Sequence, residues 1–231
     1  MTTLAETHRD PEPPLLRFDR VERVAHWTTA ALFGVLMLTG AALYAGPIST
    51  MVGRRDLVRT THVVAGLALP VPVVLALLGA WGRRLRADVG RLNRWSADDR
   101  AWLRRRTRPD ARLSKFNPGQ KLNAAFLGAS IVVMLATGIM LRWYEPFSLD
   151  WRTGATFVHD WLALGIWIAV IAHIVFAFRD PVALRGMTRG SVSAWWACTR
   201  RPRWYEEQTG RPATRLKGSQ PSNARESSAE S

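Results

Sequence analysis

Four histidines are the residues of this 231-residue chain most suited to chemistry. His26, His62, His159 and His173 lie in or beside stretches that contain no Asp, Glu, Lys or Arg. Imidazole binds metals and carries protons near neutral pH, and an ionisable group at apolar depth is costly enough to indicate function. The chain has one cysteine, Cys198, which excludes a disulfide framework and thiolate-held iron–sulfur or zinc centres built within it.

Long uncharged stretches must position these histidines. They cover residues 24–53, 60–82, 122–141 and 161–178. About 20 apolar residues cross a hydrocarbon core of about 30 Å. The stretches have no polar face at the helical period, which favours membrane spans over the buried helices of a soluble bundle. We predict spans at about 24–44, 60–82, 122–143 and 157–178.

The uneven distribution of positive charge predicts the topology. Of the 32 Lys and Arg residues, 27 fall on the N-terminal tail, the loop 83–121 and the C-terminal tail, and 5 fall on the other two loops. The positive-inside rule then places both termini and the loop 83–121 in the cytoplasm. The sequence therefore predicts an all-α membrane protein, a four-transmembrane-helix bundle of the bacterial inner membrane with a basic cytoplasmic loop between its second and third helices. The net charge of +14 indicates contact with anionic lipid rather than with nucleic acid.

The regions outside the spans differ in composition. Residues 1–16 and 206–231 are polar and are predicted to be disordered tails, with the membrane domain at 17–205. The segment 189–205 mixes Arg with Trp, and we expect it to lie along the inner leaflet. Cys198 falls in that segment, and no role is assigned to it.

Depth arranges the histidines into two levels. The first span runs outward and the second and fourth run inward, so His62 and His159 fall near the periplasmic face. His26 and His173 fall near the cytoplasmic face. His159 and His173 are fourteen residues apart, which is about 21 Å of helix and close to four whole turns. The predicted pairs are therefore His62 with His159 and His26 with His173.

Haem b is the group that best fits two imidazoles facing each other at two levels. Two axial imidazoles fill the coordination of the iron and favour electron transfer. The alternatives are a metal-transport site, which prefers clustered ligands often including carboxylates, and a proton relay, which needs Asp or Glu inside the bilayer.

Small residues near these levels offer room for a porphyrin, although close helix packing in membranes explains glycines equally well. They are Gly34, Gly40, Gly66, Gly138 and Gly165. The first and third spans also share a short echo, MLTG at 37–40 and MLATG at 134–138, and only the first of these spans carries a histidine.

Over residues 17–208 the chain resembles the gamma subunit of membrane-bound respiratory formate dehydrogenases, a di-haem cytochrome b. The resemblance rests on RFDRVERVAHW at 17–27, RTTHVVAG at 59–66, KFNPGQKLN at 115–123, VHDWLALGIWIAVIAHIVFAF at 158–178 and the RPRWY tail at 201–205. It implies the same histidine pairs, as axial ligands of two haem b groups.

The resemblance also implies a quinone site beside the inner haem, formed by Asn117, Gly119, Gln120 and His173. Amide side chains offer hydrogen bonds to quinone carbonyl oxygens, and Lys115 and Lys121 would lie at the cytoplasmic mouth. The alternative is that FNPGQ is only a turn in which Asn117 caps the third helix.

The function implied is electron transfer from the periplasm to quinone, without a formate-oxidising site in this chain. Its partners would be the iron–sulfur (beta) subunit and the catalytic molybdenum or tungsten (alpha) subunit. Two alternatives stay open: a cytochrome b subunit of a hydrogenase or other periplasmic oxidoreductase, and a haem-free membrane anchor.

Overall fold

The computed structural model describes residues 12–47, 53–105 and 112–213, and four of its helices are long and apolar enough to cross a membrane. In chain order the elements are β1 (Leu15–Leu16), α1 (Arg20–Tyr44), α2 (Arg55–Ala68), α3 (Val71–Leu78), a 3₁₀ turn (Ala80–Gly82), α4 (Arg83–Leu92), α5 (Ala97–Leu103), α6 (Pro118–Arg142), α7 (Leu149–Phe178), α8 (Pro181–Arg189), β2 (Ser191–Val192), α9 (Ala194–Arg200) and α10 (Pro202–Thr209). The membrane-length helices are α1, α2 with α3, α6 and α7. The helical membrane bundle predicted from the sequence is thus confirmed.

The helices begin earlier than the uncharged stretches suggest. α1 starts at Arg20 because Asp19 caps it. The Asp19 side chain accepts from the Glu22 amide at 2.8 Å, and the Glu22 carboxylate accepts from the Asp19 amide. α7 starts at Leu149, eight residues before the predicted span. Charged residues are tolerated in a first helical turn, so a search for uncharged stretches finds the apolar part of a helix and misses its ends.

The second span is broken where prolines enter it. α2 ends at Ala68 and α3 begins at Val71, with Pro70 as its N-terminal cap residue and Pro72 in its first turn. Proline has no N–H to donate and crowds the preceding turn. The helix ends at Leu78, earlier than the predicted residue 82, because the extended backbone of Gly79 leads into the 3₁₀ turn.

One end of the bundle is covered by the short elements, and we name it the capped end. The two-residue strands β1 and β2 pair antiparallel there, with Leu15 opposite Val192. The Arg17 guanidinium donates to the Lys115 carbonyl at 3.3 Å, and the indole of Trp27 donates to the Met187 carbonyl at 3.2 Å. The other end, which we name the open end, carries the connections between α1 and α2 and between α6 and α7.

The segment 189–205 buries most of its aromatic side chains in protein, and its predicted position along the inner leaflet stays a prediction. Trp196, Trp204 and Tyr205 are buried in a small apolar core with Val192 and Cys198. These aromatic side chains pack against protein because the segment folds back as β2, α9 and α10. Cys198 is fully buried in this core.

Both predicted tails contribute ordered residues to the cap. Residues 12–16 include β1, and the Glu12 carboxylate accepts from the Tyr205 hydroxyl at 2.9 Å. α10 continues to Thr209, past the predicted boundary at 206, and its Glu206 is ion-paired with Arg112. Partners distant in sequence therefore hold segments that composition alone marks as tails. The rest of the predicted tails, 1–11 and 214–231, lies outside the described residues.

Candidate functional site

The structure brings the four histidines together as two facing pairs. The rings of His62 on α2 and His159 on α7 have centres 6.4 Å apart, and we name them the open-end pair. The rings of His26 on α1 and His173 on α7 have centres 6.2 Å apart, and we name them the capped-end pair. Both pairings are the ones expected from depth, and α7 supplies one ring to each.

The separation of the rings fits an iron bound between them. An imidazole–metal bond is about 2 Å, and the ring centre lies about 1 Å behind the nitrogen, so two opposed axial imidazoles have centres about 6 Å apart. Two imidazoles joined by a direct hydrogen bond, with nitrogens about 2.9 Å apart, would have centres about 5 Å apart. The donor set is also suitable, since imidazole is a common axial ligand of haem iron.

The arrangement differs from that of a site for a metal ion alone. Within the described ranges, no group of three or more His, Cys, Asp or Glu side chains converges. Each pair offers two ligands, which is the number that a porphyrin iron leaves to the protein. The two levels are fourteen residues apart on α7, about 21 Å, and cannot share one ion.

Threonine hydroxyls hold the rings of the open-end pair. The Thr39 hydroxyl on α1 lies 2.9 Å from Nδ1 of His62, and the Thr137 hydroxyl on α6 lies 2.9 Å from Nδ1 of His159. Each histidine is therefore fixed by the helix that precedes its own in the chain. The opposite ring nitrogen, Nε2, is left to bind a metal.

Glycines next to these threonines let the rings approach the backbone. A methyl group added at Gly40 would lie 3.4 Å from Cε1 of His62, and one at Gly138 would lie 3.6 Å from Cε1 of His159. The short motif shared by the first and third spans thus marks two equivalent sites, in each of which a Thr–Gly step contacts a histidine ring. We name these two sites the Thr–Gly cradles. Gly165 instead faces Phe126 and Gly66 faces Leu36, which is ordinary helix packing.

The capped-end pair has different surroundings. His26 meets the edge of the Trp27 ring, with ring centres 5.4 Å apart, and Trp27 is tied to α8 through Met187. Among the described residues, no hydrogen bond reaches the ring nitrogens of His26 or His173. The position of this pair depends on the packing of the cap rather than on partners in neighbouring spans.

A buried ionic cluster lies one helical turn from His26. Lys115 is ion-paired with Asp88 and lies 3.6 Å from Glu22, and all three side chains are at most 5% exposed. Glu22 is four residues before His26, so it shares a face of α1 with it. Burial lowers the pKa of Lys115, while the charges of Asp88 and Glu22 act in the opposite direction. Burial also lowers the pKa of Arg17 to about 9, so it stays charged at neutral pH.

Lys115 and Lys121, which are predicted at the cytoplasmic mouth, are both buried. Lys121 is buried and donates to Asp99 and to the Arg94 carbonyl, both at 2.7 Å. Lys115 is buried in the ionic cluster. Both lysines join α6 and the segment before it to α4 and α5, because a buried ammonium needs a charged partner.

The NPGQ turn is a helix cap, as the structural alternative expected. Asn117 Oδ1 accepts from the Gln120 amide at 2.8 Å, and Gln120 Oε1 accepts from the Asn117 amide at 3.0 Å. These bonds use the side-chain oxygens and leave both side-chain NH₂ groups as donors. Gly119 faces Trp102 of α5. The turn lies at the capped end, where His173 is five residues, about 7.5 Å of helix, from the end of α7.

Comparison with known protein families identifies the family of the chain. The family described as prokaryotic cytochrome b561 matches residues 17–190, three quarters of the chain. The chain belongs to this family. A cytochrome b561 carries haem b, so the group that fits the ring spacing is also the group of the family, and the chain is a multi-pass protein of the inner membrane.

Relatives of this cytochrome b561 chain carry a more specific name. It is 26% identical to the formate dehydrogenase cytochrome b556 subunit of Haemophilus influenzae over 84% of this chain and 83% of that one. It is 24% identical to the nitrate-inducible formate dehydrogenase cytochrome b556(Fdn) subunit of Escherichia coli K12, over 84% and 91%. It is 25% identical to the cytochrome b556(fdo) subunit from the same strain, over 84% and 92%. These relatives confirm the resemblance found in the sequence.

Sequence reasoning missed two kinds of residue in this cytochrome b561 chain. Thr39 and Thr137 had a signal, the repeated Thr–Gly step, although only the structure shows which rings they touch. Glu22 and Asp88 had none, because two charges that are 66 residues apart along the chain give no local pattern, and nothing in the sequence indicated that Lys115 would pair with them.

Proposed function

We propose that this cytochrome b561 chain is the di-haem membrane subunit of a formate dehydrogenase complex. It would hold one haem b between His62 and His159 and a second between His26 and His173. The observation that supports this most is the occurrence of two facing imidazole pairs at metal-bridging distance, at two levels of one helix. Bound haem supplies one-electron transfer, and bis-histidine ligation keeps oxygen chemistry out.

The names of the relatives support formate as the source of electrons. The proteins that match over 84% of this chain are cytochrome subunits of formate dehydrogenases. This chain has a single cysteine, so iron–sulfur centres and the formate-oxidising site would belong to partner subunits. We infer an iron–sulfur (beta) partner and a catalytic molybdenum or tungsten (alpha) partner.

The charge distribution supports an orientation with the capped end in the cytoplasm. The described parts of the N-terminal segment, the loop 83–121 and the C-terminal segment lie at that end, and in the sequence these three segments hold 27 of the 32 Lys and Arg residues. The open end would then face the periplasm and the iron–sulfur partner. Each electron carried inward against 100 mV stores about 2.3 kcal/mol, so two electrons store about 5 kcal/mol.

We place the quinone site at the capped end, at Asn117, Gly119, Gln120 and His173. The side-chain NH₂ groups of Asn117 and Gln120 would donate to the two carbonyl oxygens of the quinone. The ionic cluster of Glu22, Asp88 and Lys115 would supply a route for protons, because its three ionisable groups lie within ion-pair distance of one another.

Purification of the complex from its native membrane tests the electron source. We expect two b-type haems per chain, co-purification of an iron–sulfur and a molybdenum- or tungsten-containing subunit, and reduction of both haems by formate. Reduction by hydrogen and not by formate would assign the chain to a hydrogenase. A purified chain without an α band would make it a haem-free anchor.

Two conservative variants test the quinone site. Asn117→Asp and Gln120→Glu keep the capping oxygens and remove the NH₂ donors, so α6 should stay capped. We expect both haems to remain reducible by formate while their reoxidation by quinone slows about tenfold, the effect of losing a hydrogen bond of about 1.4 kcal/mol. Unchanged reoxidation in both variants would place the quinone elsewhere.

A further inference from the structure

The hydrogen-bond network at the open-end pair indicates which ring nitrogen of each histidine carries the proton. The Thr39 hydroxyl lies 2.7 Å from the Val35 carbonyl, and the Thr137 hydroxyl lies 2.9 Å from the Val133 carbonyl, each four residues back on its own helix. A hydroxyl has one proton, and the carbonyl can only accept it. With its proton on that carbonyl, the hydroxyl oxygen is left to accept from Nδ1–H of the histidine.

We propose that Thr39 and Thr137 are positioning residues that set the tautomer, orientation and basicity of His62 and His159. With the proton on Nδ1, the lone pair of each ring is on Nε2, the nitrogen left for the metal. A hydrogen bond from the far nitrogen of a ligating histidine fixes the ring and raises its basicity as a ligand. This inference rests on the proposed ligand role of the two histidines.

Two independent copies of the arrangement support the inference. In the α1–α2 hairpin and again in the α6–α7 hairpin, a Thr–Gly step on the first helix meets a histidine on the second. The Thr–His distance is 2.9 Å in both copies, and in both a methyl group added at the glycine would lie within 3.6 Å of the ring carbon Cε1. A threonine present only to satisfy its own helix would need neither the ring nor the glycine.

The consequence concerns the direction of electron flow. A more basic imidazole stabilises the oxidised iron more than the reduced iron, which lowers the reduction potential. Among the described residues, the capped-end pair has no such hydrogen bond. The threonines therefore lower the potential at the open end relative to the capped end, which favours flow from the open end to the capped end.

Redox titration of the purified complex tests the proposal. In Thr39→Val and Thr137→Val, the midpoint potential of the open-end haem should rise by about 59 mV for its one electron, a tenfold change in the ratio of reduced to oxidised haem. The capped-end haem should not shift. Thr39→Ser and Thr137→Ser restore the hydroxyl and should restore the potential.

The matched control is Thr153→Val. Thr153 makes the same bond to the carbonyl four residues back, Leu149, at 3.0 Å, and it is exposed on α7. Thr153→Val should leave the midpoint potentials of both haems unchanged. A shift as large in Thr153→Val as in the cradle variants would overturn the proposal, since it would reflect only the lost helix bond.

A second measurement covers valine variants that bind haem weakly. In the valine variants, transfer of the open-end haem to excess apomyoglobin should be at least about tenfold faster than in the wild type. In the serine variants it should be slow again. Equal loss of both haems in the valine and serine variants would be a folding effect and would contradict the proposal. A result of two haems in the wild type and one in His62→Ala supports the ligand assignment. If the valine variants then match the wild type in midpoint potential and in haem release, only this inference fails. If His62→Ala keeps both haems, the ligand assignment fails.

Discussion

The two histidine pairs have nearly the same ring spacing, 6.4 Å at the open end and 6.2 Å at the capped end, in unlike environments. At the open end, hydroxyls of neighbouring spans hold the rings within an apolar bundle. At the capped end, folded segments from both ends of the chain surround the pair, and buried charges lie one turn away. The first environment favours a fixed ligand geometry, and the second brings ionisable groups to the site where quinone would take up protons.

The difference between the two ends agrees with the proposed functions, electron transfer at the open end and quinone reduction at the capped end. An iron that only passes electrons needs rigid ligands and few ionisable neighbours, because moving protons there would leak charge across the membrane. A site that reduces quinone needs both electrons and protons. The open end and the capped end differ in the way that this division requires.

Removal of one ligand from each pair should produce the largest effects. His62→Ala should abolish reduction of the remaining haem by formate, because electrons would enter at the open end. His26→Ala should leave the open-end haem reducible by formate but not reoxidised by quinone. Stopped-flow spectra of the α band, with formate and then with quinone, distinguish the two variants. The opposite pattern would reverse the proposed direction of flow.

Loss of Lys115 should disturb the capped end alone. Lys115→Met leaves Glu22 as a buried carboxylate without its ion-pair partner and leaves Asp88 with Arg91 alone, and breaking such buried pairs costs about 3–5 kcal/mol. On heating, the capped-end haem should be lost at a lower temperature than in the wild type, and the open-end haem at the same temperature as in the wild type. Arg203→Met is the control, because its pair with Glu207 is partly exposed and should contribute less than about 1 kcal/mol. Simultaneous loss of both haems would mean that the two ends are not independent.

The smallest effect should come from Gly40→Ala. The added methyl group would lie 3.4 Å from His62 Cε1, the shortest ordinary van der Waals distance, so it would limit the motion of the ring and change release of the open-end haem by less than tenfold. Gly34→Ala is the control, because no atom lies within 4 Å of that position. Both changes favour the helix by about 1 kcal/mol, so faster release in Gly40→Ala alone would separate the site from overall stability. Equal release rates would show that the Gly40 cradle is not tight.

Much of the membrane bundle was predictable because its signal is local. A run such as ALGIWIAVIAHIVFAF at 163–178 has the length of a bilayer and no charge, and a histidine inside it has a definite depth. Spacing along one helix then determines which histidines share a level. The pairing of His62 with His159 and of His26 with His173 follows from such arithmetic, without knowledge of side-chain contacts.

The short elements that cover the capped end were not predictable, because their signal is not local. Trp196 and Trp204 look like interfacial residues in a basic segment, and only their packing with Val192 and Tyr205 shows that they are buried. Asn117 was predictable both as a helix cap and as a quinone ligand, and the structure supports the cap while leaving its NH₂ group for a ligand. Contacts between residues that are distant in sequence leave no periodic pattern.

The ratio of haem to protein in wild type and His62→Ala, by pyridine haemochrome and amino-acid analysis, tests the central claim most directly. We expect two haems per chain in the wild type and one in the variant, with the retained haem still held between His26 and His173. Two haems in the variant, or one in the wild type, would contradict the assignment of two imidazole pairs to two irons.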